Sequence, residues 1–308
     1  MSGSLIDLSN ALAAATERAA AAAVAVHTEA RGSASGVIWR VGVIVTADHA
    51  LRRDEDIRVT LPGDRVVPAS LVGRDPSTDL AVLRCAEATA ARGESGKLAT
   101  PKPGALVLVV GRTRASGPIA TLGVVSLVAR ERRTWVGAPL APYIRLDVPL
   151  QPTAVGGAAV DAEGRTFGMA TPRFAQFGAM AIAAETVDRV VEVLLQKGRV
   201  PRGYLGIGLQ PVRLPEELRV SIERAERTAA IVLEVEPEGP AHRAGILIGD
   251  ILVSLEGQPV SHLENVHSQL HGENIGKSLK AQVLRGGALR EIQLVVGERQ
   301  HHGVEKGE

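Results

Sequence analysis

One histidine and one aspartate stand where a hydrolytic site could use them. His49 lies in VGVIVTADHAL, at the turn after a predicted strand, and Asp79 in GRDPSTDLAVLRC stands just before another strand. An imidazole acts as a general base when an anchored carboxylate orients it. His27, the other histidine of this region, lies in a strand-like run and is predicted to be structural or exposed. Taken alone, His49 and Asp79 also fit ordinary polar turn residues.

The segments that must position these residues are predicted to be strands. Between residues 23 and 183, short runs rich in Val, Ile and Leu are separated by Gly, Pro and Asp. The runs include GVIW (36–39), GVIVT (42–46), DIRVTL (56–61), LAVLRC (80–85), ALVLVVG (105–111), LGVVSLV (122–128), YIRLDV (143–148) and RTFGMAT (165–171). This spacing is typical of an all-β sandwich or barrel. The lack of long alternating helices argues against a doubly wound α/β fold.

The hydrophobic period changes near residue 184. Positions i, i+3, i+4 and i+7 of a predicted helix are apolar, namely Val187, Val190, Val191 and Leu194. Gly198 suits the end of that helix, and Pro201 prevents its continuation. We therefore predict an N-terminal helical segment at 1–22, a β domain at 23–198, a second domain at 203–297 and a disordered polar tail at 298–308. Within the first segment the helix is expected at 7–22, with Asp7 or Ser9 near its N-cap.

The second domain mixes strands with short helices. Predicted strands are IVLEV (231–235), DILVSL (250–255), SLKAQVLR (278–285) and LREIQLVV (289–296), with turns at EGPAHRAG (238–245) and EGQPV (256–260). A helix is predicted at 261–271. The whole chain is therefore expected to be mostly β, with a small α+β domain at its C-terminal end.

Composition limits the classes of partner. The 308 residues carry a formal net charge of +1, which gives no reason to expect a nucleic acid or an acidic membrane surface. The one cysteine, Cys85, excludes a disulfide framework and is predicted to be a buried, inert thiol. No set of side chains has metal-ligand spacing, and GYLGIG lacks the strand–helix unit of a dinucleotide site, so neither metal nor cofactor is expected. No charged signal segment precedes the Ala-rich run, so a cytoplasmic location is expected.

Three segments together resemble the HtrA (Deg) family of trypsin-like serine proteases with a C-terminal PDZ domain. They are GVIVTADHAL, LVGRDPSTDLAVLR and PLQPTAVGGAAVD, and the resemblance extends from about residue 23 to 297. Family members usually read T-N-x-H-V, D-P-x-T-D-L-A-V-L and N-P-G-N-S-G-G-A at these places. The resemblance implies a trypsin-like double β-barrel followed by a PDZ domain, with His49 as base and Asp79 as its orienting acid.

The third segment departs from the family pattern. Alignment of Pro152 and of Gly156-Gly157 puts Val155 at the nucleophile and Thr153 at the glycine of the oxyanion loop. Valine has no lone pair with which to attack a carbonyl. A β-branched residue also disfavours the φ > 0 geometry such loops can need, so Thr153 is a degenerate oxyanion position.

Three residues are candidates for a substitute nucleophile. Thr153 is the nearest hydroxyl but is two residues from the nucleophile position, while Ser126 and Cys85 lie in apolar strand runs. A nucleophile needs its base within hydrogen-bond reach, so rescue by any of the three is not expected. The leading hypothesis is a catalytically inactive chain, and the runner-up is an active serine endopeptidase whose nucleophile lies elsewhere.

The PDZ resemblance implies a function that needs no nucleophile. In that fold a peptide adds as a strand to a sheet edge, and its terminal carboxylate is held by main-chain amides of a loop. By resemblance that loop is Tyr204-Leu205-Gly206-Ile207, and the helix facing the groove presents Leu263, Val266, His267 and Leu270. Some of these apolar residues must belong to the core. His262 and His267 could add a pH dependence, although exposed, uninvolved histidines are the simpler interpretation.

The expected partners follow from this resemblance. They are peptide or protein C-termini, with unfolded proteins or active HtrA homologues as further alternatives; no nucleic acid and no membrane is expected. An adaptor, a scaffold, a holdase and a regulator of active relatives are all compatible with the sequence. The family commonly forms trimers through aromatic residues near the N-terminus, but residues 1–38 contain no Phe, Tyr or Trp. The sequence therefore leaves the oligomeric state open, with a trimer as one alternative.

Overall fold

The computed structural model describes residues 2–27, 33–89, 100–130, 132–133, 139–175, 177–222, 225–270 and 272–298. These residues divide into two compact units, one up to Val200 and one from Pro201. The predicted fold class is confirmed: the first unit contains two closed barrels of six strands each, and the second has the mixed strands and short helices of a small α+β domain. The predicted disordered tail lies outside the described residues from position 299 onward.

The first barrel closes in the order β1-β2-β3-β6-β5-β4. Its strands are β1 (Ala23–His27), β2 (Ser33–Arg40), β3 (Val43–Ala47), β4 (Ile57–Thr60), β5 (Val66–Asp75) and β6 (Leu80–Arg84). Strand β3 is buried on both faces, as its unbroken Val-Ile-Val run predicts. Strands β3 and β6 pair antiparallel with Ala47 opposite Leu80, so the segment after β3 lies beside the segment before β6.

The second barrel closes in the order β11-β14-β13-β12-β7-β8. Its strands are β7 (Leu106–Thr113), β8 (Gly117–Ala129), β11 (Tyr143–Asp147), β12 (Ala158–Val160), β13 (Thr166–Thr171) and β14 (Ala179–Ala183), with β9 (Arg132–Arg133) and β10 (Pro139–Leu140) paired apart from them. One hydrophobic cluster joins the two barrels, and a further cluster fills the second barrel. The short strand β12 follows the 151–157 loop directly, which ties that loop to a buried barrel strand.

Two helices pack against the barrels. Helix α1 (Ser2–Ala20) begins before the predicted start at residue 7, and both Asp7 and Ser9 lie inside it, so the predicted cap is wrong. Helix α2 (Ala184–Lys197) buries the predicted apolar face, and Gly198 ends it in the left-handed conformation at φ 69°, as predicted. Within the described residues, no helix has the length and apolar character that crossing a membrane requires.

The second unit is built on one sheet. Its strands are β16 (Ile207–Arg213), β17 (Thr228–Val235), β18 (Ile251–Leu255), β20 (Ser278–Arg285) and β21 (Ala288–Val295) in that order, with β19 (Gln258–Pro259) beside β18 and β15 (Gly203–Tyr204) paired with β22 (Gly297–Glu298). The helices are α3 (Glu216–Ser221), α4 (Pro240–Arg243) and α5 (Leu263–His267). The predicted helix at 261–271 is therefore shorter than expected, and the predicted turn at 238–245 contains α4. Strand β16 is an edge strand.

An ion pair between Arg285 and the buried Asp250 connects β20 to the loop before β18. Arg285 on β20 donates two hydrogen bonds to Asp250, at 2.7 Å and 2.6 Å, and the Leu247 amide donates a third at 2.9 Å. Burial opposes ionisation of this carboxyl, but these hydrogen bonds hold the pKa of Asp250 below its ordinary value. The pair fixes the loop before β18 against β20.

Candidate functional site

His49 and Asp79 come together because their strands pair. His49 lies on a short 3₁₀ turn, residues 48–50, directly after β3, and Asp79 is the last residue before β6. The Asp48 amide donates to the Asp79 carbonyl at 3.1 Å, which extends the β3–β6 pairing by one step. Asp79 is in the left-handed region at φ 59°, so the backbone turns sharply there. Strand pairing therefore brings His49 and Asp79 together although they are thirty positions apart in the sequence.

Three donors converge on the Asp79 carboxylate. Nδ1 of His49 lies 2.9 Å from Oδ1 and 2.8 Å from Oδ2, and the His49 amide donates to Oδ1 at 3.0 Å. The Thr171 hydroxyl donates to Oδ2 at 2.5 Å. Asp79 is 0% exposed, whereas the His49 side chain is 32% exposed. An ionised carboxylate in this setting fixes the tautomer and direction of the imidazole, with Nε2 turned away from Asp79.

Arg74 fixes the turn that carries His49. Its guanidinium donates to the Asp48 carbonyl at 3.2 Å and to the Asp48 carboxylate at 3.0 Å, and it also pairs with Asp54 at 2.6 Å. Burial raises the pKa of Asp48, and the hydrogen bond and charge of Arg74 oppose that rise. Arg74 and Thr171 were not predicted as site residues, because each acts through a contact between distant segments.

The 151–157 loop lies against the end of β3. Residues 152–154 form a 3₁₀ turn, and Gly156 follows with φ 85°. A Cβ atom placed on Gly156 would lie 2.3 Å from the Ser35 carbonyl oxygen and 3.0 Å from the Ala47 amide nitrogen. Ala47 ends β3, and His49 follows two residues later. Val155, next to Gly156, therefore lies beside the turn that carries His49, and its side chain is 7% exposed in the barrel core.

Ser35 holds this loop at two points. Its hydroxyl donates to the Thr153 carbonyl at 2.6 Å, and its amide donates to the Val155 carbonyl at 2.8 Å. The hydroxyl also accepts the Arg112 amide at 3.0 Å. The loop is thus fixed by the first barrel and by β7 of the second. The buried Ser35 hydroxyl therefore has both a hydrogen-bond acceptor and a hydrogen-bond donor as partners, as buried polar groups usually do.

Four amides of the 151–157 loop donate to backbone carbonyls. The Ala154 amide donates to the Gln151 carbonyl at 2.9 Å, and the Val155 amide is directed at the Pro152 carbonyl at 3.4 Å. The Gly156 and Gly157 amides donate to Ala170 and Ala154. An oxyanion hole needs amides aimed at open space where charge develops. The Val155 amide is directed at the Pro152 carbonyl within the loop, so it does not point to open space.

No described residue supplies a nucleophile to His49. Within the described ranges, the only side chain that hydrogen bonds to the His49 ring is Asp79, and the contact is through Nδ1. Ser126 pairs with Arg145 on the exposed face of β8. Cys85 is buried, as predicted, and burial raises the pKa of its thiol. None of the three predicted substitutes, Thr153, Ser126 and Cys85, hydrogen bonds to the His49 ring.

A groove runs beside the edge strand β16 in the second unit. It encloses about 440 Å³ and is lined by the predicted peptide-binding residues Tyr204, Leu205, Gly206, Ile207, Leu263, Val266, His267 and Leu270. Three charged residues that were not predicted, Arg202, Glu234 and Glu236, also line it. Leu205 and Val266 are buried in the core, while Ile207, Leu263 and Leu270 are partly exposed beside it. As expected, some of these apolar residues belong to the core and others form the wall of the groove.

The Gly206 loop is anchored by its carbonyls. The Leu205 carbonyl accepts the Ala241 amide at 2.9 Å, and the Gly206 carbonyl accepts the Glu236 amide at 2.8 Å. In a planar trans peptide group, the C=O of one residue and the N–H of the next residue point in opposite directions. The amides of Gly206 and Ile207 are consequently directed away from α4 and β17. Gly206 has φ 73°, and the Tyr204 hydroxyl donates to Glu236 across it. In the same groove, Nδ1 of His267 is buried and has no hydrogen-bond partner among the described residues.

Comparisons with known proteins agree with this architecture. The profile of the trypsin-like peptidase domain matches residues 34–169, and that of the PDZ domain matches residues 203–296. The HtrA-type protease AlgW with a tripeptide is 30% identical, with a TM-score of 0.70, over 94% of this chain and 97% of that one. The chain belongs to the HtrA family of trypsin-like serine proteases with a PDZ domain. The serine endoprotease from Yersinia pestis is 29% identical, with a TM-score of 0.73, over 94% of this chain and 98% of that one.

Curated HtrA relatives are longer than this chain. A probable periplasmic serine endoprotease DegP-like from Brucella suis is 31% identical over 271 residues, which are 84% of this chain and 51% of the relative. Protease Do-like 1, chloroplastic, from Arabidopsis thaliana is 31% identical over 289 residues, which are 86% of this chain and 64% of the relative. The chain thus spans about half to two thirds of the length of these relatives.

The predicted cytoplasmic location is wrong. HtrA relatives from Brucella suis, Halomonas elongata and Pseudomonas putida are named periplasmic, and the one from Arabidopsis thaliana is named chloroplastic. The expectation rested on the absence of a charged segment at the start of the printed sequence. A targeting segment is separate from the folded domains and is removed from the mature protein, so the domains carry no record of it.

Proposed function

We propose that this HtrA-family chain binds polypeptide C-termini through its PDZ domain and does not cleave peptide bonds by serine chemistry. It would act as an adaptor, a scaffold or a holdase. The proposal rests on the 151–157 loop: it lies against the end of β3, two residues before His49, and it has Val155 where the family pattern has Ser, while no described hydroxyl or thiol hydrogen bonds to the His49 ring.

The chemistry of the site supports inactivity. Acyl transfer begins with attack by a deprotonated hydroxyl or thiol, and the isopropyl group of Val155 has neither a proton for His49 nor a lone pair. Removal of a nucleophile from such a site costs about 10⁶ in turnover. The inward direction of the Val155 amide weakens the oxyanion site as well.

An active serine endopeptidase in protein quality control is the second candidate. The names of the relatives favour it over the inactive alternative, because they are called serine endoproteases. The intact set of His49, Asp79 and Thr171 is compatible with it, but it needs a nucleophile from a residue outside the described ranges. A third candidate is a regulatory partner of active HtrA homologues, which would combine with them in a trimer or another oligomer.

Degradation of casein tests the choice between the first two candidates. We expect the purified wild-type protein and its His49→Ala variant to leave casein equally intact over hours, because the base has no nucleophile to activate. The measurement is loss of the casein band on a gel. Degradation by the wild type that the His49→Ala variant lacks would overturn the proposal and establish the endopeptidase. Equal degradation by both would indicate a contaminating protease and require further purification.

The PDZ part of the proposal rests on the Gly206 loop and on the free edge of β16. An incoming strand can pair with β16, and the two amides directed away from α4 and β17 suit a terminal carboxylate. Ile207, Leu263 and Leu270 offer an apolar surface for the last side chain of the peptide. The expected ligand is therefore a free C-terminus with an apolar last residue.

Substitution of Gly206 tests the carboxylate loop. A Cβ at this position would be strained at φ 73° and would lie 3.0 Å from the Tyr204 hydroxyl. We expect Gly206→Ala to weaken the binding of a fluorescein-labelled heptapeptide that ends in Val by about tenfold in fluorescence anisotropy. The matched control is Gly257→Ala, at φ 71° with open space around it, which should leave binding unchanged.

The same peptide with an amidated C-terminus tests whether the loop recognises the terminal carboxylate. A charge-assisted hydrogen bond contributes about 1.5–3 kcal/mol, so amidation should weaken binding by at least about tenfold. Equal affinities for the free acid and the amide, or equal effects of the Gly206 and Gly257 substitutions, would contradict carboxylate recognition by this loop.

A further inference from the structure

Glu234 has a position from which it can contact a bound peptide. It lies on β17 directly opposite Gly208 of β16, and directly opposed residues share one face of a sheet. Gly208 has no side chain, and a Cβ built there would lie 3.0 Å from the Glu234 Cβ and 3.4 Å from its Oε2. The Glu234 carboxylate therefore extends over Gly208 toward the free edge of β16.

The pairing register identifies which peptide residue meets this carboxylate. If the Gly206 and Ile207 amides hold the terminal carboxylate, the last residue pairs alongside Ile207 and the penultimate residue alongside Gly208. Side chains alternate between faces, so the last side chain points toward Leu263 and Leu270, and the penultimate side chain points to the face of the sheet that carries the Glu234 side chain. Two strand spacings, about 10 Å, separate the backbones, and a Lys or Arg stem can bridge that gap above Gly208.

No described side chain forms an ion pair with Glu234. Glu234 is exposed, and within the described residues it forms no ion pair or side-chain hydrogen bond. Glu236, the other carboxylate lining the groove, already accepts the Tyr204 hydroxyl. A cation on the penultimate side chain would thus meet an available carboxylate, whereas an acidic side chain would be repelled.

We propose that Glu234 selects C-terminal peptides whose penultimate residue is Lys or Arg. This inference rests on the proposed PDZ function and names the class of ligand for that site: a free C-terminus with an apolar last residue preceded by a basic one. Gly208 makes the selection possible, because any side chain there would stand between Glu234 and the peptide.

Three heptapeptides that differ only at the penultimate position test this inference on the full chain. They carry Lys, Ala or Glu before a C-terminal Val with a free carboxylate. An exposed ion pair typically changes affinity by about two- to fivefold, and replacement of attraction by repulsion adds to that. We expect the Lys peptide to bind about tenfold more tightly than the Glu peptide at low salt, with a smaller ratio at high salt.

Charge reversal at Glu234 supplies the decisive comparison. The Glu234→Gln variant should bind the three peptides about equally, and Glu234→Lys should prefer the Glu peptide. Glu291→Gln, on the far edge strand β21 of the same sheet, should retain the wild-type preference. A Lys preference that persists in both Glu234 variants, or no preference in the wild type, would overturn the inference. Equal binding of free-acid and amidated peptides would instead reject the proposed function, so the two failures are distinguishable.

Discussion

Replacement of Val155 by Ser is expected to give the chain a casein-degrading activity that the wild type lacks. The Val155 position lies beside the His49 turn, and the 151–157 loop is held there by Ser35. Asp79 and Thr171 already orient the imidazole. A missing nucleophile costs about 10⁶ in turnover, and a weak oxyanion donor costs about 10²–10³. We therefore expect an increase of at least about 10³-fold over the wild type, measured with fluorescent casein.

The dependence of this gain on other residues separates a rebuilt site from an accidental one. The double variant with Val155→Ser and His49→Ala should return to the wild-type level. A double variant with Val155→Ser and Thr153→Gly should exceed Val155→Ser alone by about 10- to 100-fold, because glycine lets the loop amides turn outward. Thr153→Gly alone should not degrade casein, because it supplies no nucleophile.

The expectation would be contradicted if neither Val155→Ser nor the double variant with Thr153→Gly degraded casein while circular dichroism showed that both were folded. It would mean that the loop cannot present a hydroxyl to His49 although His49 and Asp79 remain paired. Activity of Val155→Ser that survives His49→Ala would equally contradict the assigned role of His49.

The barrels were predictable because strand signals are local. The apolar runs at residues 42–46 and 105–111 became the buried strands β3 and β7, since Val and Ile fit a pleated, buried surface. The start of α1 was missed because Ser2, Gly3 and Ser4, which open the helix, are weak helix formers. Asp and Ser favour helix caps but also occur in helix interiors, so Asp7 and Ser9 do not by themselves mark the first turn.

The site was only partly predictable because its support comes from distant segments. His49 and Asp79 could be found from their own neighbours, as each stands at the end of an apolar run. The sequence around Ser35 and Thr171 does not mark them as site residues. Ser35 lies within a strand and Thr171 at the end of one, and their hydroxyl groups reach the 151–157 loop and Asp79 only when the barrels have formed. Glu234 is a similar case, because its relation to Gly208 depends on the strand register.

Substitution of Gly156 by Ala is expected to destabilise the first unit strongly. At φ 85° an L-residue costs roughly 1–2 kcal/mol, and the added methyl would stand 2.3 Å from the Ser35 carbonyl oxygen and 2.9 Å from the Thr46 hydroxyl oxygen. Both neighbours belong to paired barrel strands and cannot withdraw freely. Overpacking of this kind adds about 1–3 kcal/mol, so the free energy of unfolding should fall by about 2–5 kcal/mol in urea titrations.

Gly117→Ala is the matched control for backbone strain. Gly117 lies at the start of β8 in the same unit, with φ 77° and open space where a Cβ would stand. Its substitution should cost only the strain, about 1–2 kcal/mol. If the two variants lose equal stability, the 151–157 loop moves away from β3 without penalty. The position of the loop against β3 would then be adjustable, and the double variant with Val155→Ser and Gly156→Ala would keep the activity of Val155→Ser.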